Sequence, residues 1–533
     1  MSIIIKSLTY IHPDKSSLFE NLSLVVNKGQ KAAFVGNNGA GKSTLLKLAA
    51  GKLLPFAGEI SYSERPWYIP QHLGQYDHLT IAEALEVEKK LTGLQAILNG
   101  DTDLQNFTDL EDDWEIEEKV KNALQGWGLG QLAPDTLLQN LSGGQKTKIF
   151  LSGIDIHQPG IILMDEPSNH LDANSRKQLY NLVKDSKATI LVVSHDRVLL
   201  NLLPETFELN KNGLELYGGN YDFYKEQKRE KINALQNQLD EQSKTLKQGQ
   251  QKAREMAEQR QQKEARGKAI GQTNSLPRII AGGLKSKAEQ STAKMMDAHQ
   301  DKVAGIAENI RNIRSQIQQY QVLKIDIGAS TLHHGKVLVD AANITFGYAD
   351  SSLWDPLTFQ IRSGDRIRIE GDNGSGKTTL LKIINGRLQP DVGSIQRIPF
   401  THLYLDQDYT MIDPGLSVYE QVQHYNGRGL QEHELKSLLI YAQFPREMFD
   451  RKCAELSGGE KMKLALCCLS VANYAVDMLI LDEPTNNLDM QSLDVLSAAV
   501  KYFNGTLVVI SHDQYFIDEI GINKHIVVQS IKK

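Results

Sequence analysis

Two stretches of this chain have residue types and spacing suited to holding a polyphosphate. Gly36, Asn37, Asn38, Gly39, Ala40, Gly41, Lys42 and Ser43 fit the pattern G-x-x-x-x-G-K-[ST], as do Gly371, Asp372, Asn373, Gly374, Ser375, Gly376, Lys377 and Thr378; Thr44 and Thr379 follow directly. Glycines in such a loop let backbone N–H groups close on phosphate oxygens without a Cβ in the way. The lysine, Lys42 or Lys377, is suited to neutralising the β and γ oxygens of a nucleotide, and the hydroxyl of Ser43 or Thr378 to ligating Mg²⁺. Downstream, apolar runs end in Asp165-Glu166 and Asp482-Glu483. An aspartate at the carboxyl end of a strand can hold the metal, and the adjoining glutamate can orient and deprotonate an attacking water. The plain alternative is a pair of solvated acids at a helix start, which an upstream phosphate loop in both halves argues against.

These groups recur in order. VGNNGAGKSTLLKLAAG at 35–51 is echoed by EGDNGSGKTTLLKIING at 370–386, LSGGQ at 141–145 by LSGGE at 456–460, and SHD at 194–196 by SHD at 511–513. LSLVV and LTFQI, KAAFVG and RIRIEG read as strands, the latter pair running straight into the glycine-rich loops and an amphipathic helix. GIILMDE and ATILVVSH are apolar on consecutive positions, as parallel strands covered on both faces are. Strands alternating with helices predict an α/β sheet in each half. Between them, residues from about 221 to 264 and from about 284 to 320 are rich in Gln, Lys, Glu and Ala, which favours long helices. Ile232, Leu235, Leu239 and Leu246 in the first, and Ile306, Ile310, Ile313, Ile317 and Tyr320 in the second, keep a heptad register. An antiparallel helical hairpin follows, with its turn among Gly267, Gly271, Pro277, Gly282 and Gly283. The expected domains are 1–220, 221–322 and 323–533, the first with a short acidic helical insertion near 96–118.

Composition narrows the class. The 533 residues are 41% hydrophobic, enough for more than one core, and no run is long enough for a membrane span or a signal h-region. Three cysteines without paired spacing argue against a disulfide framework or a zinc site and fit a reducing cytosol. Net charge is −6, yet residues 220–320 hold 19 Lys and Arg against 12 Asp and Glu, and 259–296 hold 8 against 2. A basic hairpin tip carrying Arg266, Lys268, Arg278, Lys285 and Lys287 suits a polyanion such as RNA. A solvated coiled-coil spacer is the bland reading, though Leu276, Ile279, Ile280 and Leu284 would be odd on one.

At LSGGQ and LSGGE, a serine and two glycines open a predicted helix, presenting a hydroxyl and backbone donors at its positive end. This combination resembles the ATP-binding cassette superfamily. The resemblance implies that Ser142, Gly143, Gly144 and Gln145 face the second phosphate loop, while Ser457, Gly458, Gly459 and Glu460 face the first, with ATP held between. It also implies that Gln71 and Gln407 contact Mg²⁺ and water alongside Asp165 and Asp482. Glu166 and Glu483 would be catalytic, with His195 and His512 touching the γ-phosphate. Tyr10 and Tyr348 are candidates to stack on adenine or to serve as ordinary packing.

Two cassettes in one chain joined by a roughly hundred-residue helical linker resemble, over essentially the whole sequence, the ABC-F proteins. EPSNHLD at 166–172 is close to their EPTNHLD; EPTNNLD at 483–489 departs mildly. That resemblance implies a cytoplasmic monomer with intramolecular cassette pairing, two hydrolytic sites using ATP and Mg²⁺, and the ribosome as partner. The linker would point toward large-subunit rRNA and P-site tRNA at the peptidyl-transferase centre, in translational regulation or antibiotic protection, and the segment near 96–118 would be a short counterpart of an arm some members lay on the large subunit. The competing class is a tandem ATPase subunit of a membrane transporter, which would share every phosphate motif but need no basic hairpin; a DNA-repair ATPase lacks its inserted cysteines here.

Overall fold

A computed structural model describes residues 3–37, 39–210, 213–271, 301–314, 316, 332–348, 351–372, 374–472, 475–485 and 488–529. The chain divides into two compact units, 1–222 together with 322–533, and 223–321.

The first unit holds two α/β layers of the same design. In the amino-terminal half the strands are β1 (Ile3–Ile11), β2 (Ser17–Val26), β3 (Lys31–Val35), β4 (Ala57–Tyr62), β5 (Trp67–Ile69), β6 (Ile161–Asp165), β7 (Thr189–Val193), β8 (Glu205–Asn210) and β9 (Gly213–Tyr217). They form a six-stranded sheet in the order β5-β6-β7-β3-β8-β9, parallel except for the edge strand β9, and an antiparallel sheet β2-β1-β4. The carboxyl-terminal half contributes β10 (Val337–Thr345), β11 (Gly347–Tyr348), β12 (Ser351–Ser352), β13 (Leu357–Arg362), β14 (Arg366–Glu370), β15 (Val392–Arg397), β16 (His402–Leu405), β17 (Met478–Asp482), β18 (Thr506–Ile510) and β19 (Lys524–Val527). Here the parallel sheet runs β16-β17-β18-β14-β19 and the antiparallel one β13-β10-β15. The parallel sheets are as the sequence leads one to expect. LSLVV and LTFQI instead enter the small antiparallel sheets, where alternate residues face the core.

All five residues are buried in each of β6, β7, β17 and β18. Helices must therefore cover both faces of these strands, and their chain ends are the places where a polar group can reach a cleft. Each phosphate loop is backed by the antiparallel layer. A Cβ on Gly41 would crowd the Leu18 and Phe19 side chains, and one on Gly376 would collide with the indole of Trp354. Cys453, Cys467 and Cys468 are buried in the second core, and burial pushes their thiols up, to about 11 for Cys453 and about 12 for Cys467, so they serve as small apolar side chains. The insertion near 96–118 contains helices Glu88–Leu98, Leu104–Leu110 and Ile116–Gly126, with Phe107 and Trp114 in edge-to-face contact on its exposed side.

The second unit contains all but the first two residues of the helix Tyr221–Gly271, 51 residues or about 75 Å, and a helix over 301–314. The first helix passes through Gly267 to Gly271, both expected in the turn. Flanking Ala, Arg, Lys and Glu are strong helix formers, and one glycine costs a helix only about 1 kcal/mol. Ile232, Leu235, Leu239 and Leu246 are half-buried along one face, Ile310 and Ile313 are buried, and Gly249 lies against Val303. Ile317, Tyr320, Pro277, Gly282, Gly283, Arg278, Lys285 and Lys287 are outside the described residues, as are the side chains of Arg266 and Lys268. Among the described residues no helix is long and apolar enough to cross a membrane.

Trp354 is fully buried, and its Nε1 donates to the Ile344 carbonyl at 3.3 Å. Trp354→Ala should destabilise the second cassette by about 3–5 kcal/mol, seen as a lower urea midpoint.

Candidate functional site

The first phosphate loop follows β3, and the helix Lys42–Ala49 begins at its last two residues, with Gly41 in the left-handed conformation at φ +97. Lys42 Nζ donates to the carbonyls of Gly36 and Asn37 at 2.6 and 3.1 Å, so the buried lysine is braced across the loop. Lys377 repeats this on Gly371 and Asp372 at 2.8 and 3.0 Å, ahead of the helix Lys377–Ile384. Burial pushes both ammonium groups down, while Glu166 and Glu483 respectively oppose the shift. Asn38 and Asn373 lie outside the described residues.

Asp165 and Asp482 end buried strands and turn toward these loops. Ser43 Oγ donates to Asp165 Oδ1 at 2.9 Å, and Thr378 hydrogen bonds Asp482. A tyrosine also donates to each aspartate, Tyr68 to Asp165 Oδ2 at 3.3 Å and Tyr404 to Asp482 Oδ2 at 2.9 Å. Sequence reasoning missed these two tyrosines. Their signal was available: each stands three residues before Gln71 or Gln407, in WYIPQ and LYLDQ. Burial raises both carboxyls and the hydrogen bonds work against it; burial likewise drives both phenols up, keeping them donors.

Glu166 and Glu483 have φ +53 and +48, the left-handed region, and their N–H groups donate to Val193 O at 2.8 Å and Ile510 O at 2.9 Å. The turn swings each carboxylate beside a histidine: His195 Nε2 lies 3.2 Å from Glu166 Oε1, and His512 Nε2 lies 3.3 Å from Glu483 Oε1. Glu166 Oε1 and Glu483 Oε2 are buried without a hydrogen-bond partner among the described residues. Burial pushes Glu166 up to about 8, against the pull of Lys42, and raises Glu483. Both imidazoles are pushed down, His195 to about 3 by burial and Lys42, His512 to about 4 by burial, Lys377 and Arg176.

Ser142 and Ser457 each cap a helix, Gly143–His157 and Gly458–Val471. Gln145 and Glu460 return the bond to the serine N–H, completing a capping box that explains why these positions hold Gln or Glu. A Cβ on Gly144 would approach the His170 carbonyl to 2.7 Å, so the EPSNHLD loop is pressed onto the helix start. One cleft is lined by Asn37 and Gly39 of the first phosphate loop together with Ser457, Gly459, Glu460 and Asp489 of the second cassette. Gln71 lines a neighbouring cleft with Gly41, Lys42, Ser43, Thr44, Glu166 and His195. Across the opposite pairing, Asp172 and Arg176 of the first half bear on His512, and Arg176 also on Glu483.

The outer positions differ between halves. Tyr10 packs against Phe19 and His12, and it is His12 that lines the cleft at the first loop. Tyr348 is exposed, edge-on to Phe346, with its hydroxyl 3.5 Å from Thr379 Oγ1. Gln407 is exposed on a turn, and the charge bearing on Asp482 from there is that of Asp406.

A family model described as ABC transporter matches residues 19–169 and 354–486. The chain is 30% identical over 538 residues to the energy-dependent translational throttle protein EttA of Haemophilus influenzae, covering 96% of this chain and 89% of that one. It is 28% identical over 533 residues to the tylosin resistance ATP-binding protein TlrC of Streptomyces fradiae, covering 94% and 93%. Its fold resembles the crystal structure of a complex of the archaeal ribosomal stalk protein aP1 and the archaeal ribosome recycling factor aABCE1, with TM-score 0.60 at 20% identity, covering 98% of this chain and 87% of that one.

A Cβ at Gly36, where φ is +146, would collide with the Leu209 carbonyl oxygen. Gly36→Ala should therefore distort the first loop and weaken nucleotide binding there about tenfold or more, measured by titration with a fluorescent nucleotide analogue.

Proposed function

The chain belongs to the ABC-F family of tandem ATP-binding cassette ATPases, and we propose that it is an ATP-switched, cytoplasmic ribosome-binding factor. ATP draws the cassettes together, pairing sets the linker against large-subunit rRNA and P-site tRNA, and hydrolysis releases the particle. The observation that carries this reading is the cleft shared by Asn37 and Gly39 of one cassette and Ser457 and Gly459 of the other, because a nucleotide bound there touches both. Translation, in regulation or in protection against antibiotics, is the process favoured by likeness to a translational throttle protein and a tylosin resistance protein. A transporter subunit accounts for the cassettes but not for the basic helical segment, for which we propose the boundaries 221–322 between cassettes 1–220 and 323–533.

Within each site we assign roles by chemistry. The loop N–H groups and Lys42 or Lys377 hold the phosphates, and the signature serine and glycines of the facing cassette complete the cradle. Ser43 with Asp165, and Thr378 with Asp482, are hard oxygen donors that fit Mg²⁺; among the described residues no group of three or more His, Cys, Asp or Glu could hold a metal alone, which suits an ion that takes its other ligands from phosphate and water. Mg²⁺ held there would offset the negative charge of the phosphates. Tyr68 and Tyr404 keep the aspartates aimed at the ion, Gln71 and Gln407 lie downstream on the same loops, and Glu166 and Glu483 orient the attacking water and accept its proton. His195 and His512 are placed to donate to the γ-phosphate. Tyr348, through its position at Thr379, is the better placed of the two adenine candidates; Tyr10 works through His12.

The double variant Glu166→Gln/Glu483→Gln should lose turnover about 100-fold or more yet retain ATP and co-sediment with ribosomes only when ATP is present. Undiminished turnover sinks the assignment of the glutamates, and recovery in the membrane fraction favours a transporter subunit. Arg266 and Lys268, with Arg278, Lys285 and Lys287, are the proposed RNA contacts. Reversing Arg278, Lys285 and Lys287 to Glu should weaken ribosome binding and reduce its logarithmic salt dependence by roughly 3, about one per lost phosphate contact, with intrinsic ATPase activity unchanged.

A further inference from the structure

Two short helices meet where the cassettes join. Arg197–Asn201 begins two residues after His195, and Gln514–Ile520 begins two residues after His512. Each starts from a capping aspartate, Asp196 or Asp513, so each is fixed directly to the segment that carries its histidine. From the first helix, Arg197 bonds Asp494 at 2.9 Å and Glu519 at 3.4 Å of the second cassette, and Asn201 Nδ2 donates to the Tyr515 hydroxyl at 2.7 Å.

Asn201 makes a second bond of another kind. Its Oδ1 accepts from the N–H of Asp222 at 2.9 Å. Asp222 is the second residue of the helix Tyr221–Gly271, and a helix leaves its first N–H groups without a partner inside it. One amide thus caps the long helix with its oxygen and holds the second cassette with its nitrogen. Tyr221, beside Asp222, is buried, and both residues belong to the first unit.

The repeat shows what is specific here. SHDRVLLN at 194–201 corresponds to SHDQYFID at 511–518, which places Gln514 at the position of Arg197 and Asp518 at that of Asn201. In the second cassette those two bond each other along their own helix, Gln514 Nε2 donating to Asp518 Oδ1 at 2.8 Å. In the cassette that leads into the long helix, the same two positions reach outward instead, across the seam and to the root of that helix.

We propose that Asn201 is a positioning residue that couples cassette pairing to the linker, by joining the first turn of Tyr221–Gly271 to Tyr515 of the second cassette. While the cassettes are paired, Tyr515 fixes the amide, both of its bonds stand, and the helix root has one seat. When they part, the bond to Tyr515 is lost, the amide turns freely and the root loosens. A contact present in one state and absent in the other is what lets one equilibrium bias another. Because both seam helices follow directly on His195 and His512, a change of nucleotide at either site reaches the same joint.

This inference rests on the ATP-switched reading above and names the joint through which that switch acts. Its test uses the full chain carrying Glu166→Gln and Glu483→Gln, with spin labels on introduced cysteines, the native ones being buried. Lys121, Lys244 and Lys501 are exposed. Labels at Lys121→Cys and Lys244→Cys report the linker helix against its own cassette, and labels at Lys121→Cys and Lys501→Cys report pairing. ATP should shift the pairing distance and narrow the linker distribution. Asn201→Ala, or Tyr515→Phe, which removes one hydroxyl only, should leave the pairing shift intact and keep the linker distribution broad. Each should also weaken ATP-dependent co-sedimentation with ribosomes about tenfold, and the two together should cost no more than either alone. A linker distribution that still narrows in both variants overturns the proposal, as does loss of both responses together, which would make Asn201 a cassette contact alone. If ATP shifts neither distance in the parent protein, the ATP-switched reading itself falls, and this inference with it.

Discussion

The structure turns on one backbone constraint, made twice. A buried parallel strand ends in aspartate, and the next residue, a glutamate, takes a left-handed conformation that costs an ordinary side chain about 1 kcal/mol or more. What holds it there is the N–H bond to the neighbouring strand, at Val193 or Ile510. A glutamate continuing the strand would carry its carboxylate along the sheet. With the turn, the aspartate faces the phosphate loop of its own cassette and the glutamate faces the cleft and its histidine. Two acids adjacent in sequence are thereby separated in task.

The cassettes are joined by contacts that differ on the two sides. Arg197, buried at the start of the helix Arg197–Asn201, bonds Asp494 at 2.9 Å and Glu519 at 3.4 Å of the other cassette, and Asn201 donates to the Tyr515 hydroxyl at 2.7 Å. A buried guanidinium is tolerated only when acids and hydrogen bonds replace its water, so this contact fixes register more than it adds stability. The second cassette has Gln514 at the position of Arg197. An internal repeat thus forms a pseudo-symmetric pair whose interface is specific on one side.

The helical segment follows other rules. Over residues 225–255 most side chains are exposed, and Ile232, Leu235, Leu239 and Leu246 are half-buried along one face. Such a helix is held by propensity and by a seam with its partner rather than by a core. Charge segregates accordingly: the basic excess lies there and the acidic excess in the cassettes. Length and charge are properties that the sequence writes openly, whereas the cassettes depend on contacts between distant residues.

That difference decides what was legible. The phosphate loops, acid pairs, signature helices and parallel strands were determined by sequence, because each rests on local rules: glycine at positive φ, a capping box within four residues, a run of apolar residues covered on both faces. A pairing of Gly36–Ser43 with Ser457–Gly459 is implied by family resemblance, and Asn37 and Gly39 share a cleft with Ser457 and Gly459. What tertiary structure alone decided were contacts between residues far apart in the chain: Tyr68 on Asp165, Tyr404 on Asp482, His12 in place of Tyr10 at the cleft, Arg197 between two acids, and Asn201 between Tyr515 and Asp222. None has a periodicity or spacing of its own. Such neighbours are set by how the sheets stack and how the two halves meet, and a linear pattern holds no term for that distance.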